Sequence, residues 1–574
     1  MKRYIFILIS VFIFGLFSAS AEEAAPETEV TYIQTEVVPA EGETTTIMEE
    51  GTKGIGDIIE EAAPKPMELR FEPAKMPDGK SVLKPSSDKI PTFTKEDFIA
   101  TAAIQKTLRI GMVDCVAMAL KNNSEILVKK ISPLIEKANV RKEKGAFDPE
   151  LSADFTYRDN TEVGATPLFV PAKSTSQTGT LNLGYDQKLT TGTEIEVDFN
   201  NTRLESNSRI QSPNPYYDSF TGITVTQPLL KGAGLIVNKA NFLIAKNNKL
   251  KSDQDVIKEL LVVLTDVKKS YYDFQYTQEQ YRAVEAALMR SEELHRINKE
   301  RYEKGLASDV DLLQSVAEVS RARQGLAAAE NAMKTSEDNL KFITNLIDDP
   351  ELWNSDIVLL DKVTYEKEMP GLVEAINEAF KYRPDYEAAK IDLKNRDIDV
   401  IFYRNGMLPT VDLVGSYGSN GLGKGYRSDM NTLGSGDYQD WSAGVSVSFP
   451  FWDDANKGNY EKSKLEKQQA LIGFKRLEQN IILQIRDAVR NIDIKYRMLE
   501  ASGETKKAEE RNYEAQELRF KAGLVGTKDM VDYQERLTRA QVNFIKSVID
   551  YKITLIELAK VKGTMLEEDN ITLE

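Results

Sequence analysis

Residues 301–323, RYEKGLASDVDLLQSVAEVSRAR, return 218 residues later as RFKAGLVGTKDMVDYQERLTRAQ at 519–541. Arg301/Arg519, Gly305/Gly523, Leu306/Leu524, Asp311/Asp529, Arg321/Arg539 and Ala322/Ala540 are identical pairs at that offset. In both copies a long periodic stretch runs into a Gly-Leu break, and a second periodic stretch leaves it. Glycine ends helices because it tolerates positive φ, and acids just beyond the break suit a helix N-terminus. Each copy therefore reads as the tip of a long helical hairpin. The chain is a tandem duplication of that unit.

The stretches feeding the tips are unusually long. No proline occurs from Leu235 to Lys304 or from Tyr460 to Ala522, so each predicted helix extends about 95–105 Å at roughly 1.5 Å per residue. Leu260, Leu264, Val267, Tyr271, Phe274, Tyr281 and Leu288 follow a 3.5-residue period, as do Ile482, Ile485, Val489, Ile492, Tyr496 and Leu499. Such a period is a coiled-coil seam. Two shorter helices, 124–145 capped by Ser124 and 308–346, together nearly match one long helix. Each long helix is thus expected to be flanked by two half-helices stacked end to end. The segment 347–370, with Pro350 and Trp353, then falls at the equator where the half-helices meet.

Between helices the period changes to two. Leu151, Ala153, Phe155 and Tyr157 alternate with Ser152, Asp154, Thr156 and Arg158. Similar strands are predicted around Leu181–Tyr185, Glu194–Asn200 and Ile223–Thr226, and in the second repeat at Val411–Tyr417 and Trp441–Phe449. Here the two repeats align at an offset of 260, matching Ala119/Ala379, Lys121/Lys381, Pro149/Pro409 and Tyr157/Tyr417. The fall from 260 to 218 removes 42 residues between the outer strands, a loss that takes in the middle hairpin 178–203 of the first repeat. Polar loops at 159–177 and 204–217 alternate with a tight turn at Leu189-Thr190-Thr191-Gly192. A soluble sandwich also alternates, but the polar set here carries charges that would make a poor core and suit a water-filled lumen. Four to six strands cannot close an aqueous barrel, so several chains must share one. Whether the middle hairpin joins it, giving twelve or eighteen strands in a trimer, stays open.

Composition narrows the function. The net charge of −16 and pI near 5 leave no basic field for nucleic acid. One cysteine, Cys115, and one histidine, His295, read as helix packing and helix surface. They leave almost nothing for a metal or nucleophile–base site, so neither enzyme activity nor a cofactor is expected. Lys2 and Arg3 precede the apolar run Tyr4–Phe17 and Ala19-Ser20-Ala21, which reads as a signal peptide over 1–21. No cysteine follows that site, so no N-terminal lipid anchor is expected. Residues 22–106, acidic and rich in Pro, Glu and Thr, are expected to form a mostly disordered extension, in which Thr92–Ala103 is a candidate binding segment. Repeat 1 then covers 107–346 with strands over 151–228, repeat 2 covers 371–568 with strands over 409–450, and 569–574 is a short tail.

The duplicated helix–strand–helix plan, the QPLLKGAG at 227–234 leading into the first long helix, and the twin Gly-Leu tips resemble the TolC family of outer membrane efflux proteins over about residues 107–568. The resemblance implies an α+β membrane protein: a shared trimeric transmembrane β-barrel continuous with a long periplasmic α-helical coiled-coil barrel. It implies the outer membrane channel of a tripartite efflux or type I secretion system, a passive conduit working as a homotrimer in outer membrane lipid. A periplasmic adaptor and an inner-membrane transporter are the implied partners. Gly305, Leu306, Gly523 and Leu524 match the tip motif that adaptors grip. Asp529 and Asp532 match acids at the tunnel mouth, and Asp311 matches a tip acid. Two places past the tip glycine, where the family carries a basic residue, stands Val525, with Lys528 as a candidate substitute. The residues also admit plainer readings. Asp311 three places after Ser308 has capping-box spacing, and a coiled-coil envelope spacer would need the same helices.

Overall fold

The structure, a computed structural model, describes residues 107–163, 173–208, 211–346 and 350–571. The expected signal peptide and extension over 1–106, Thr92–Ala103 included, lie outside the described residues.

The first repeat begins with a short strand, β1 (Thr107–Ile110), and the half-helices α1 (Met112–Asn122) and α2 (Ser124–Lys144). Asn123, not Ser124, caps α2: its side chain accepts from the amides of Glu125 and Ile126. The residue between two helices must leave helical backbone to cap the second, and Asn123 adopts φ −63° and ψ 123°. Four strands follow: β2 (Glu150–Val163), β3 (Lys173–Lys188), β4 (Glu194–Ser206) and β5 (Tyr216–Pro228). They run well into the expected polar loops, because backbone pairing continues after the apolar alternation fades. Gly192 takes φ +95° in the tight turn between β3 and β4.

The chain then enters α3 (Leu235–Asn238) and α4 (Ala240–Glu303), 64 residues or about 96 Å long. Lys239 separates the two, so the expected single helix from Leu235 is interrupted once. Helix α5 (Asp309–Ile343) returns from the tip, followed by α6 (Pro350–Trp353) and β6 (Asp356–Leu359). The second repeat comprises α7 (Leu372–Tyr382), α8 (Pro384–Gly406), β7 (Thr410–Gly423), α9 (Tyr426–Ser435) and β8 (Gln439–Ser448). It ends with α10 (Asp454–Lys521), α11 (Thr527–Lys562) and α12 (Met565–Glu568).

The seams bury as their period requires, with one correction. Leu260, Leu264, Val267, Tyr271 and Phe274 are buried on α4. On α10 the buried line is Ile481, Ile485, Ala488, Ile492 and Leu499, packed against Ala375 and Ala379 of α7 and Val548, Tyr551 and Leu558 of α11. Ile482 faces out; its neighbour Ile481 lies four residues before Ile485 and continues the stripe. Helix α4 also crosses between repeats. Asn247 donates to Asn395 of α8 at 2.8 Å, and Lys269 pairs with Glu557 of α11 at 2.8 Å.

The equatorial segment is built into the fold by strand pairing and side-chain bonds. β6 pairs in parallel with β1, Thr107 opposite Asp356 through Ile110 opposite Leu359. Asp361 then accepts from the amide of Met112 at 2.8 Å and the hydroxyl of Tyr271 at 2.7 Å. Farther on, the Tyr551 hydroxyl donates to the Glu366 carbonyl at 3.0 Å and accepts from the Glu368 amide at 2.9 Å. The segment thus straps α4 to α11.

The six long strands form one antiparallel sheet in the order β2-β3-β4-β5-β7-β8, so the middle hairpin joins the others. Register carries one apolar row across all six: Leu151, Tyr185, Val197, Ile223, Tyr417 and Trp441. The opposite face carries Glu150, Asp186 and Glu196 side by side, then Thr224, Ser416 and Ser442. In β2 the apolar row lies one residue from the strand's helix-proximal end, and in β8 seven residues from it. That stagger is what tilted barrel strands require. The outer edges of β2 and β8 have no strand partner among the described residues.

Helix α9 has no apolar period in its sequence. It docks on the apolar-row face of β5 and β7, where Gly421 and Gly423 leave room: a Cβ at Gly421 would come within 2.7 Å of the Asp429 carboxylate. Asp429 is fully buried and accepts from Asn201 at 3.0 Å and from the Ser219 hydroxyl.

Candidate functional site at the twin hairpin tips

Both tips close by the same backbone device. Gly305 takes φ +72° and Gly523 φ +75°. The Gly305 amide donates to the Tyr302 carbonyl at 2.8 Å and the Leu306 amide to the Arg301 carbonyl at 2.7 Å. At the other tip Gly523 donates to Phe520 and Leu524 to Arg519, each at 2.9 Å. These paired bonds are a Schellman motif, which only a residue free to adopt positive φ completes without strain. The residue after the glycine is thereby thrown outward. Leu306 is 67% exposed and Leu524 71%, and Val310, Leu313 and Leu518 are exposed beside them.

The return helices are capped differently. Ser308 accepts from the Asp311 amide at 3.2 Å, and the Asp311 carboxylate accepts from the Ser308 amide at 3.2 Å and its hydroxyl at 2.6 Å. Hydrogen bonds from Ser308, aided by Thr527 and Arg301, hold the Asp311 carboxyl below the usual carboxylate range. At the second tip Gly526 occupies the cap position and offers no side chain. Asp529 and Asp532 stand exposed on the first two turns of α11. Lys528 is exposed as well, and it forms no ion pair among the described residues. The expected replacement for the family's basic residue is therefore not made within one protomer. Val525 instead packs on a small tip core of Leu294, Phe520, Met530 and Val531.

The duplication breaks down in this core. Phe520 is buried, whereas its repeat counterpart Tyr302 is exposed. Arg301 reaches across to the second hairpin, while its counterpart Arg519, among the described residues, donates to Gln516 on its own helix at 3.3 Å. Below it the buried Thr527 hydroxyl donates to Asn298 at 3.2 Å, and Arg290 donates to Thr538 at 2.9 Å. Identity of Arg301 and Arg519 across the repeat concealed this cross-hairpin set. The changes from Tyr302 to Phe520, Ala307 to Val525 and Ser308 to Gly526 were the sequence signals that the two tips differ.

The described residues hold no group of three His, Cys, Asp or Glu side chains placed to bind a metal. The tips thus offer exposed apolar knobs, carboxylates and a cross-linked core.

Comparison with known proteins agrees with this architecture. The family described as outer membrane efflux protein matches residues 116–346 and 375–564. The chain is 22% identical over 315 residues to a probable efflux pump outer membrane protein, TtgC, of Pseudomonas putida, a match covering 55% of this chain and 63% of that protein's length. It is 23% identical over 309 residues to the outer membrane protein TolC of Vibrio cholerae, covering 53% and 68%. Among solved structures, the Campylobacter jejuni CmeC outer membrane channel aligns with a TM-score of 0.57 at 17% identity, over 79% of this chain and 85% of that one. The Vibrio cholerae outer membrane protein VceC aligns with a TM-score of 0.56 at 14% identity, over 79% and 96%. The fold is accordingly that of an outer membrane channel, in which the strands build a transmembrane β-barrel and the helices a coiled-coil barrel. With its family match extending over both repeats, the chain belongs to the outer membrane efflux protein family, and its place is the outer membrane.

Proposed function

We propose that the chain is the passive outer membrane conduit of a tripartite export assembly, working as a homotrimer. The observation that carries this reading is the six-stranded sheet with one apolar face, one charged face and two unpaired edges. A sheet of that kind is stable in a bilayer only when its edges are closed. Three copies of six strands make an eighteen-stranded barrel, wide enough for an aqueous lumen. The acidic face then lines water and the apolar rows meet lipid. The tips dock a periplasmic adaptor through Leu306 and Leu524, and Asp529 and Asp532 from three chains ring the tunnel mouth. Asp311 serves its own helix as a cap. Export draws its energy from an inner-membrane transporter, because the fold offers no chemistry of its own. A coiled-coil spacer would have no use for a charged sheet face. Purified protein in planar bilayers tests the reading: a trimer in mild detergent that conducts ions is expected. A stable monomer retaining β-structure, or a trimer that never conducts even with its tip mutated, would overturn it.

A further inference from the structure

The polar face of the sheet breaks its own pattern at one place. On the parity of Glu196, Thr224 and Ser416, the described strands carry aromatic side chains only at Tyr216 and Phe220, both on β5. Leucines stand beside them: Leu204 lies opposite Tyr216, and Leu422 opposite Asp218. Asp218 thus has an aromatic residue on either side of it along its strand and a leucine across from it, all on one face. Leu422 is 54% exposed, Tyr216 and Phe220 are partly exposed, and Asp218 is exposed. Two glycines make room for the Phe220 ring. Gly222 and Gly418 face each other across β5 and β7. A Cβ at Gly222 would come within 2.6 Å of Phe220 Cζ, and one at Gly418 within 2.6 Å of its Cε2. The ring therefore fills the space of two side chains, beside Asp198, which lies opposite Gly222 on β4. Phe220 sits roughly 26 Å along the strand from its helix-proximal end at Pro228.

Serine, threonine and carboxylates serve the rest of this face, so rings and leucines turned to water here call for a reason. Covering a glycine pair accounts for Phe220 alone. It explains neither Tyr216 nor Leu422, nor the carboxylate set among them. An aromatic face attracts a cation through its quadrupole, and a quaternary ammonium is the ligand such faces hold. A carboxylate alongside adds Coulomb attraction at the same spot. We infer that Tyr216, Asp218 and Phe220, with Leu422 beside them, form a binding site for organic cations that carry an apolar or aromatic body. Each chain contributes one such site, near the outer mouth of the lumen, on the wall that departing cargo passes. This inference rests on the conduit reading above, which turns this face to the lumen, and the test below separates the two.

Benzyltrimethylammonium is the probe, and benzenesulfonate, of similar size and opposite charge, is its control. Each is added to full-length channels in a planar bilayer at fixed ionic strength, and block is read relative to each channel's own conductance. The cation should block the parent and the anion should not. Phe220→Leu keeps an apolar cover over Gly222 and Gly418 but has no aromatic face, so half-block should need about tenfold more cation. Should that variant fail to assemble, Asp218→Asn leaves the ring in place. It must raise the half-block concentration more than Asp412→Asn does, an equal loss of charge at the helix-proximal end of the same face. A conducting parent that the cation does not block, or that the anion blocks equally, would overturn the site and leave the conduit standing. So would half-block unchanged in Phe220→Leu, or equal effects from Asp218→Asn and Asp412→Asn. No conductance in the parent or in tip variants would overturn the conduit and the site together.

Discussion

The Arg301 guanidinium lies 5.2 Å from the centre of the Phe520 ring, and its Nη1 donates to the Phe520 carbonyl at 3.4 Å. One side chain of the first hairpin therefore holds the last turn of the second hairpin's outgoing helix. A cation over an aromatic face contributes on the order of 1 kcal/mol when partly shielded from water. The bond to the Phe520 carbonyl adds to it, as a second donor to an oxygen that already accepts from the Gly523 amide.

Removing Arg301 should loosen the second tip without unfolding the chain. Arg301→Ala is expected to raise single-channel conductance, and Arg519→Ala, its repeat counterpart, to leave it unchanged. Equal effects from both would show that the cross-hairpin contact does not constrain the tip.

Leu306 and Leu524 should behave as docking knobs. Each turns out to solvent just past a Schellman turn, and covering an exposed leucine contributes about 1–3 kcal/mol at a contact. Leu306→Ala/Leu524→Ala should abolish export and adaptor pull-down while native mass spectrometry still reports the trimer. Export that survives the double change would move the docking site elsewhere.

Much of this was legible because duplication and period are properties of the residues themselves. Gly305 and Gly523 announce a positive-φ break, and Leu260 to Phe274 announce a seam, whatever surrounds them. What stayed hidden depends on contacts between distant segments. The β1–β6 ribbon is only four residues per strand and becomes worthwhile through Tyr271 and Asp361, which no local pattern links. Helix α9 carries mostly polar residues and Gly434, with no apolar period, and its docking is decided by Gly421, Gly423 and the buried Asp429. Ile481 and Ile482 are adjacent and equally apolar, so only packing against α7 and α11 chooses between them.

Two titratable groups give opposite expectations. Burial, followed by the nearby Asp114 and Asp361 carboxylates, pushes the Cys115 thiol far up, so it should resist maleimide in the native protein and react after denaturation. Asp311 has its carboxyl lowered, so its ionised form stabilises the fold above the ordinary aspartate range near pH 4. That contribution is lost as pH falls through the lower folded value. Protection from hydrogen exchange across 309–314, taken relative to the intrinsic rate at each pH, should therefore fall below about pH 4 in the parent. Asp311→Asn should exchange faster at neutral pH and show little further change on acidification. Identical profiles would remove Asp311 from the cap.

Ion selectivity distinguishes two acidic regions. Asp529 and Asp532 are exposed, three residues apart, with no cation within ion-pair reach among the described residues. If three chains bring them to one mouth, six carboxylates crowd a narrow ring, which should hold divalent cations and favour cation passage. The sheet contributes a second field. Glu150, Asp186 and Glu196 stand in direct register on neighbouring strands, with Asp198 one row farther on, an arrangement in which like charges repel unless they face water and counterions. Asp529→Ala/Asp532→Ala should raise conductance and remove divalent block, because the ring is the narrow element. Glu196→Gln/Asp198→Asn should lower cation preference modestly and leave divalent block intact, because a wide lumen acts through its field and is screened by salt. Reversal potentials at low and high salt separate the two variants. Unchanged selectivity and unchanged divalent block in the Asp529/Asp532 variant would leave those residues as ordinary first-turn acids of α11.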